Sequence, residues 1–424
     1  MLIQFTVKNY LSIKDEITLS MLAGSGSDHM EKLIHFGKEN VLRTAGIYGA
    51  NAAGKSNIFK AITAALIIIR SSNVMQINQE IPLISAFAFD EESRTEPSEF
   101  GFIFTVGNHK YEYGFSADSK KVYSEYLYAY FSSRATRIFE RTCTDKYIFN
   151  KADMAEFNDY REKTSANKLF LATATSWNCK KTKEAYLWLS EEIESFGGYQ
   201  AITGAALPYI AADNDQKLRE FTLGMLHHAD INISDYKVKT EELKDNNANG
   251  IKISIVADNG MPIAVPQMTQ TRTEIETTHV ITSNGQSKEF HLPASAESSG
   301  TMNIFFFSPL LKKALENGST LVVDEINDNL HPMLVKYVVD LFEDPETNTN
   351  NAQLIFITHD LSLLTLDDFR RDQIYFAEKD NETGTTDLYS LDEFSPRKTE
   401  NVRKGYLQGR YGAVPVILEG GPLW

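Results

Sequence analysis

The stretch Gly49-Ala50-Asn51-Ala52-Ala53-Gly54-Lys55-Ser56 constrains this chain more than any other feature. It fits the pattern G-x-x-x-x-G-K-[ST]. The apolar run Thr44-Ala45-Gly46-Ile47-Tyr48 precedes it, and a segment with few helix breakers, Lys55 to Ile69, follows it. A chance glycine turn needs neither flank. A strand, a turn of small residues and a helix together make a phosphate-binding loop. The small residues Gly49, Asn51, Ala52, Ala53 and Gly54 let backbone N–H groups curl around an anion. Lys55 reaches its outer phosphates and the Ser56 hydroxyl ligates Mg²⁺. The helix through Asn57 aims its positive end at the charge. The ligands implied are ATP and Mg²⁺.

Three further elements take meaning from that loop. Thr320-Leu321-Val322-Val323-Asp324-Glu325 is an apolar strand ending in two acids. By itself this is an ordinary strand running into an acidic turn. Beside a phosphate loop, Asp324 becomes a Mg²⁺ ligand through water and Glu325 the base that orients or deprotonates the attacking water. Leu354-Ile355-Phe356-Ile357-Thr358-His359 is a second apolar strand, and its histidine lies 35 residues past Asp324. A histidine there reaches the terminal phosphate or the catalytic water. Ala296-Glu297-Ser298-Ser299-Gly300-Thr301 opens a helix through Phe305, Leu310 and Leu315. Ser298, Ser299, Gly300 and Thr301 offer hydroxyls and free N–H groups to an anion, although Ser-Ser-Gly is also a common helix cap.

With 424 residues the chain exceeds what one hydrophobic core holds. The pattern divides it into a loop-bearing part (1–86), a β-rich lobe (87–150), a helical insert (151–235), a β-rich segment (236–295), an α/β part (296–378) and a polar tail (379–424). Residues 1–20 alternate as two short strands at a sheet edge. Phe100–Val106 and Lys110–Phe115, joined through Gly107-Asn108, read as a hairpin. Glu184–Phe196 is the clearest helix of the insert, and Asn249-Gly250, Asn259-Gly260 and Asn284-Gly285 mark turns.

Composition narrows the function. Lys and Arg number 42 against 57 Asp and Glu, a net charge of −15, so bulk charge does not draw this chain to nucleic acid. A local basic surface built from Lys8, Lys14, Lys180, Lys181 and Lys183 stays open beside the plainer reading of solvated lysines. Cys143 and Cys179 make no CxxC, which excludes a cysteine zinc site and suits reduced thiols. No apolar run reaches membrane-spanning length, and the first residues lack a signal-peptide pattern. The expectation is a cytoplasmic protein with no membrane contact.

In their order, these four elements resemble the ABC-type ATPase heads of SMC, RecF-like and overcoming-lysogenization-defect (OLD) proteins. The resemblance implies an α/β fold, an ABC-ATPase-like head with a mixed sheet. β-rich and helical insertions would separate its phosphate loop from its signature helix. It implies a homodimer or higher oligomer in which Ser298–Thr301 of one copy completes the ATP site of another. Lys55 and Ser56 would bind phosphate and Mg²⁺, Asp324 would hold Mg²⁺, Glu325 would be the catalytic base and His359 the switch histidine. Asn329-Leu330-His331 falls where the two heads sense each other. The signature reads Glu-Ser-Ser-Gly-Thr rather than Leu-Ser-Gly-Gly-Gln, and the family's Q-loop glutamine has no assigned position, with only Gln76 and Gln79 nearby.

The opening Phe5-Thr6-Val7-Lys8-Asn9-Tyr10, the element Glu297-Ser298-Ser299-Gly300-Thr301 with Asp324-Glu325 through Leu330-His331-Pro332, and Tyr406-Leu407-Gln408-Gly409-Arg410-Tyr411-Gly412-Ala413-Val414-Pro415 resemble the AbiL- and RloA-like proteins of bacterial phage defence. That group implies an ATPase acting as sensor or scaffold for a separately encoded effector, a nuclease or toxin. The alternative is a RecF- or SMC-like ATP-gated DNA-binding protein. A transporter ATPase fits poorly, because its signature follows the phosphate loop far more closely. A self-contained nuclease fits poorly too, because only 65 residues follow His359.

Overall fold

The computed structural model describes residues 1–212, 214–242 and 271–415. These fall into two compact units, Met1–Ala201 with Lys313–Trp424, and Ile202–Lys312. The expected turns at Asn249-Gly250 and Asn259-Gly260 lie outside the described residues.

The first unit is mixed α/β. Its central sheet runs in the order Ile193–Gly197, Thr320–Asp324, Gln353–Ile357, Thr44–Tyr48, Ile374–Lys379 and Thr386–Ser390. The first five strands are parallel and the last is antiparallel. Thr44–Tyr48, Thr320–Asp324 and Gln353–Ile357 are buried at every residue. Parallel strands covered on both faces need such unbroken apolar runs, which is why they stood out in the sequence. The helix Lys55–Ser71 follows the loop and buries Ile58, Phe59, Ile62, Leu66 and Ile69.

A second sheet, of seven antiparallel strands, is built mainly from residues 98–149, with Leu2–Lys8 and Ile17–Ser20 at one end. The hairpin is present as Ser98–Val106 and His109–Ala117, with Gly107 at φ +55° supplying the turn. Gln353 ties the two sheets together. Its side-chain amide donates to the Leu2 and Leu42 carbonyls at 3.0 Å each and accepts from the Leu2 N–H at 2.6 Å. Trp188 stacks on Phe104 with ring centroids 4.2 Å apart and planes at 10°. Replacing that buried indole with alanine leaves a large void. Trp188→Ala is expected to cost about 3–5 kcal/mol of stability, read from the denaturant midpoint.

The insert is less helical than its pattern suggests. Where one helix over Glu184–Phe196 was expected, the α-helix Lys180–Leu187 gives way to a π turn, Trp188–Glu192, and then to the strand Ile193–Gly197. Ile193 and Phe196 are spaced to suit a helix face, but pairing with Thr320–Asp324 overrides that local preference. The polar tail likewise gives the strand Thr386–Ser390 to the central sheet.

The second unit carries a three-stranded antiparallel sheet, Asp235–Glu242, Thr271–Ser283 and Gln286–Pro293. Asn284 and Gly285, at φ +52° and +77°, form its hairpin turn as expected. Within this unit Tyr236 packs edge-on against Phe305 at 5.0 Å, and the Ser308 hydroxyl donates to Thr222 at 2.9 Å.

Candidate nucleotide site

The parallel order brings the carboxyl ends of Thr44–Tyr48, Thr320–Asp324 and Gln353–Ile357 to one edge, with Ile47 in register with Ile357 and Val323 with Phe356. Ligands of open α/β sheets gather at such an edge. The phosphate loop, Asp324-Glu325 and His359 all emerge there.

The loop is held in shape from below and behind. Gly54 has φ +96°, and a Cβ on it would collide with the Thr386 side chain, so only glycine fits. The Thr386 hydroxyl donates to the Ala53 carbonyl at 3.3 Å and shares a 2.7 Å hydrogen bond with Ser12, whose hydroxyl in turn accepts from the Asn57 amide at 2.7 Å. Ala52 takes φ +64°, a left-handed conformation costing a non-glycine residue about 1–2 kcal/mol. The Lys55 ammonium folds over the loop and donates to the Gly49 and Ala50 carbonyls at 2.7 and 2.8 Å. Burial lowers its pKa, while Asp324 and Glu325 favour the charged form.

Asp324 is buried, and burial pushes its carboxyl up. The Ser56 hydroxyl, the Glu325 N–H and Lys55 favour ionisation, and the Glu325 charge opposes it. Its Oδ1 has no hydrogen-bond partner. An orphaned buried carboxylate oxygen beside a serine hydroxyl is what a cation would satisfy. Among the described residues no group of three or more His, Cys, Asp and Glu side chains gathers to cage a metal. Mg²⁺ needs no such cage, because phosphates and water supply most of its ligands. Glu325 is exposed and left-handed at φ +53°, a strained conformation of the kind that clusters at functional sites.

His359 is exposed, and the Asn327 amide nitrogen lies 3.1 Å from its Nε2. The Thr358 hydroxyl donates to the Asn327 carbonyl oxygen at 2.6 Å, which fixes the amide's orientation. Sequence reasoning missed Asn327, whose only signal was its place just after the acidic pair. Gly197 is in register with Asp324 across a parallel pair, and the helix Gly198–Ala212 follows it. The backbone carbonyls of Gln76 and Gln79 each accept from the Asn167 amide at 2.8 Å.

Ser298–Thr301 belongs to the second unit. The Ser298 Oγ accepts from the Thr301 N–H at 3.1 Å, and the two hydroxyls lie 2.9 Å apart. Glu297 is anchored by the Thr277 hydroxyl at 2.5 Å and by His279 at 2.8 Å. Ser299 and Gly300 open the helix Ser299–Asn317. Of the basic candidates, Lys8, Lys14 and Lys181 each pair with a carboxylate: Glu99, Asp90 and Asp153. Lys180 and Lys183 are exposed. Cys143 and Cys179 are free thiols.

The family model for the AAA domain described as a putative AbiEii toxin of a type IV toxin–antitoxin (TA) system matches residues 45–365. The chain belongs to this AAA family. The matched span of the AAA domain holds the phosphate loop, Ser298–Thr301, Asp324, Glu325 and His359, and it stops before the Tyr406–Pro415 motif. Among curated proteins none matches the chain. No helix among the described residues is long and apolar enough to cross a membrane.

Proposed function

We propose that this AAA domain binds and hydrolyses ATP as a dimeric, ABC-type head serving as sensor or scaffold in a bacterial anti-phage system of the AbiL and RloA kind. The observation that carries the reading is the meeting of the phosphate loop with Asp324, Glu325 and the His359–Asn327 pair at one sheet edge. Lys55 exchanges the Gly49 and Ala50 carbonyls for phosphate oxygens. Ser56 and Asp324 would hold Mg²⁺, which would offset charge on the phosphates. Glu325 takes the proton of the attacking water, and His359 steadies the terminal phosphate. The type IV toxin–antitoxin description of the family favours a separately encoded partner, a nuclease or toxin. An ATP-gated DNA clamp is less well served, since three of its five candidate lysines are already paired with acids.

In this reading Ser298–Thr301 serves the ATP of a second copy, so ATP is the glue between heads. Sedimentation of the slow Glu325→Gln variant with and without ATP tests it: dimer is expected only with ATP. Ser298→Arg should block that closure while leaving the single head's ATP affinity unchanged. A mixed dimer of Lys55→Ala and Ser298→Arg chains has one site with both lesions and one with none, so it should regain about half the activity if each composite site fires alone. Equal association in both conditions would mean that ATP does not join the heads.

A further inference from the structure

The Tyr406–Pro415 motif has no role in the chemistry above, yet its turn reaches the phosphate loop. The Ala50 N–H donates to the Ala413 carbonyl at 2.8 Å. The same carbonyl accepts from the Tyr406 hydroxyl at 2.8 Å. The Ala50 carbonyl accepts from Lys55 at 2.8 Å and from the Ala53 N–H at 3.2 Å. One loop residue therefore carries the turn on its amide side, and the lysine and the loop's own turn on its carbonyl side.

The turn is built to present that carbonyl. Gly412 and Ala413 are left-handed, at φ +69° and +55°. A Cβ on Gly412 would come within 2.5 Å of the Tyr389 hydroxyl and 2.7 Å of a Glu378 oxygen. The Tyr389 hydroxyl donates to the Tyr411 carbonyl at 2.8 Å, and the Tyr411 hydroxyl donates to Glu400 at 2.6 Å. Phe376, on a strand of the central sheet, stacks at 10° on both Tyr406 and Tyr411, with centroids 5.4 and 5.9 Å away. The turn is thus locked to the sheet that carries the site, and a cleft of about 510 Å³ opens between it and Ala50–Ala53.

We propose that this turn braces the phosphate loop. Ala413, aimed by Tyr406, fixes Ala50 and thereby sets the loop's grip on a nucleoside triphosphate, with Tyr406 as a positioning residue. The proposal rests on the ATP reading. A loop whose amides must converge on an anion loses affinity when a residue near its start, here Ala50, is free to shift, because binding must then order it.

Tyr406→Phe removes the hydroxyl and keeps the ring on Phe376. In the full chain, with ATP and Mg²⁺ as probe, affinity by calorimetry is expected to fall about tenfold, the worth of one hydrogen bond. KM should rise by the same factor with kcat unchanged, since the turn touches neither Asp324 nor Glu325. Hydrogen exchange at the Ala50 amide should quicken, while the melting midpoint without nucleotide stays near the parent's. Gly412→Ala should act in the same direction and more strongly. Parent-like ATP affinity in Tyr406→Phe, with unchanged Ala50 exchange, would overturn the brace. A loss of melting midpoint without a KM change would also overturn it, by making the turn a plain structural cap. A parent that binds no ATP would instead overturn the nucleotide reading, and with it the brace's purpose.

Discussion

A Lys55→Ala chain is expected to lose ATP binding. The Lys55 ammonium is the only charge that the loop itself carries, and it rests on the Gly49 and Ala50 carbonyls, close to where phosphates would lie. Truncating one member of a buried, hydrogen-bonded charge pair costs about 2–5 kcal/mol, so affinity should drop about thirtyfold or more. Folding should survive, because the strand and helix around the loop keep their own contacts. Calorimetric titration with ATP and Mg²⁺, beside a circular dichroism melt, separates the two effects. Undiminished binding in a folded variant would remove the core of the functional argument.

The second large effect belongs to Glu325→Gln. Glutamine keeps the size of the side chain and cannot take the proton of an attacking water. Turnover should slow by about 10²–10⁴-fold, the usual loss for a positioned general base, while ATP stays bound. The strained backbone at Glu325 fixes where the carboxylate starts, and glutamine tolerates the same conformation no worse. Single-turnover hydrolysis decides the matter. A parent-like rate would assign the water's activation to another group, with His359 the next to test.

Much of the site was legible because its parts are local. The phosphate loop needs eight consecutive residues, and the two apolar strands ending in Asp324-Glu325 and His359 announce themselves by unbroken hydrophobic runs. The strand Ile193–Gly197 was not legible. It lies beside Thr320–Asp324, a pairing across more than a hundred residues that no local pattern encodes. The same pairing turned an expected helix into a strand. Ser12 and Thr386, which support the loop from distant parts of the chain, escaped for the same reason. Ser298–Thr301 was legible as a helix opening, because Ser-Ser-Gly ahead of an apolar run is a local signal. The Tyr406–Pro415 motif was visible as letters, but its contact with Ala50 was not.

The strand order of the central sheet also bears on how the protein is made. A ribosome delivers Thr44–Tyr48 and the phosphate loop early, but their sheet neighbours are Gln353–Ile357 on one side and Ile374–Lys379 on the other. The Leu2 backbone likewise waits for Gln353. Until those late strands emerge, Thr44–Tyr48 has no partner on either edge, and the loop has neither acids before it nor Ala413 behind it. The antiparallel sheet of residues 98–149 pairs largely in sequence order and can form sooner, because short loops close at small entropic cost. The edge that gathers the phosphate loop, Asp324 and His359 therefore forms only after residue 353 has emerged. A nascent chain stalled before residue 353 holds the whole phosphate-loop motif and still lacks both sheet neighbours of the strand that carries it.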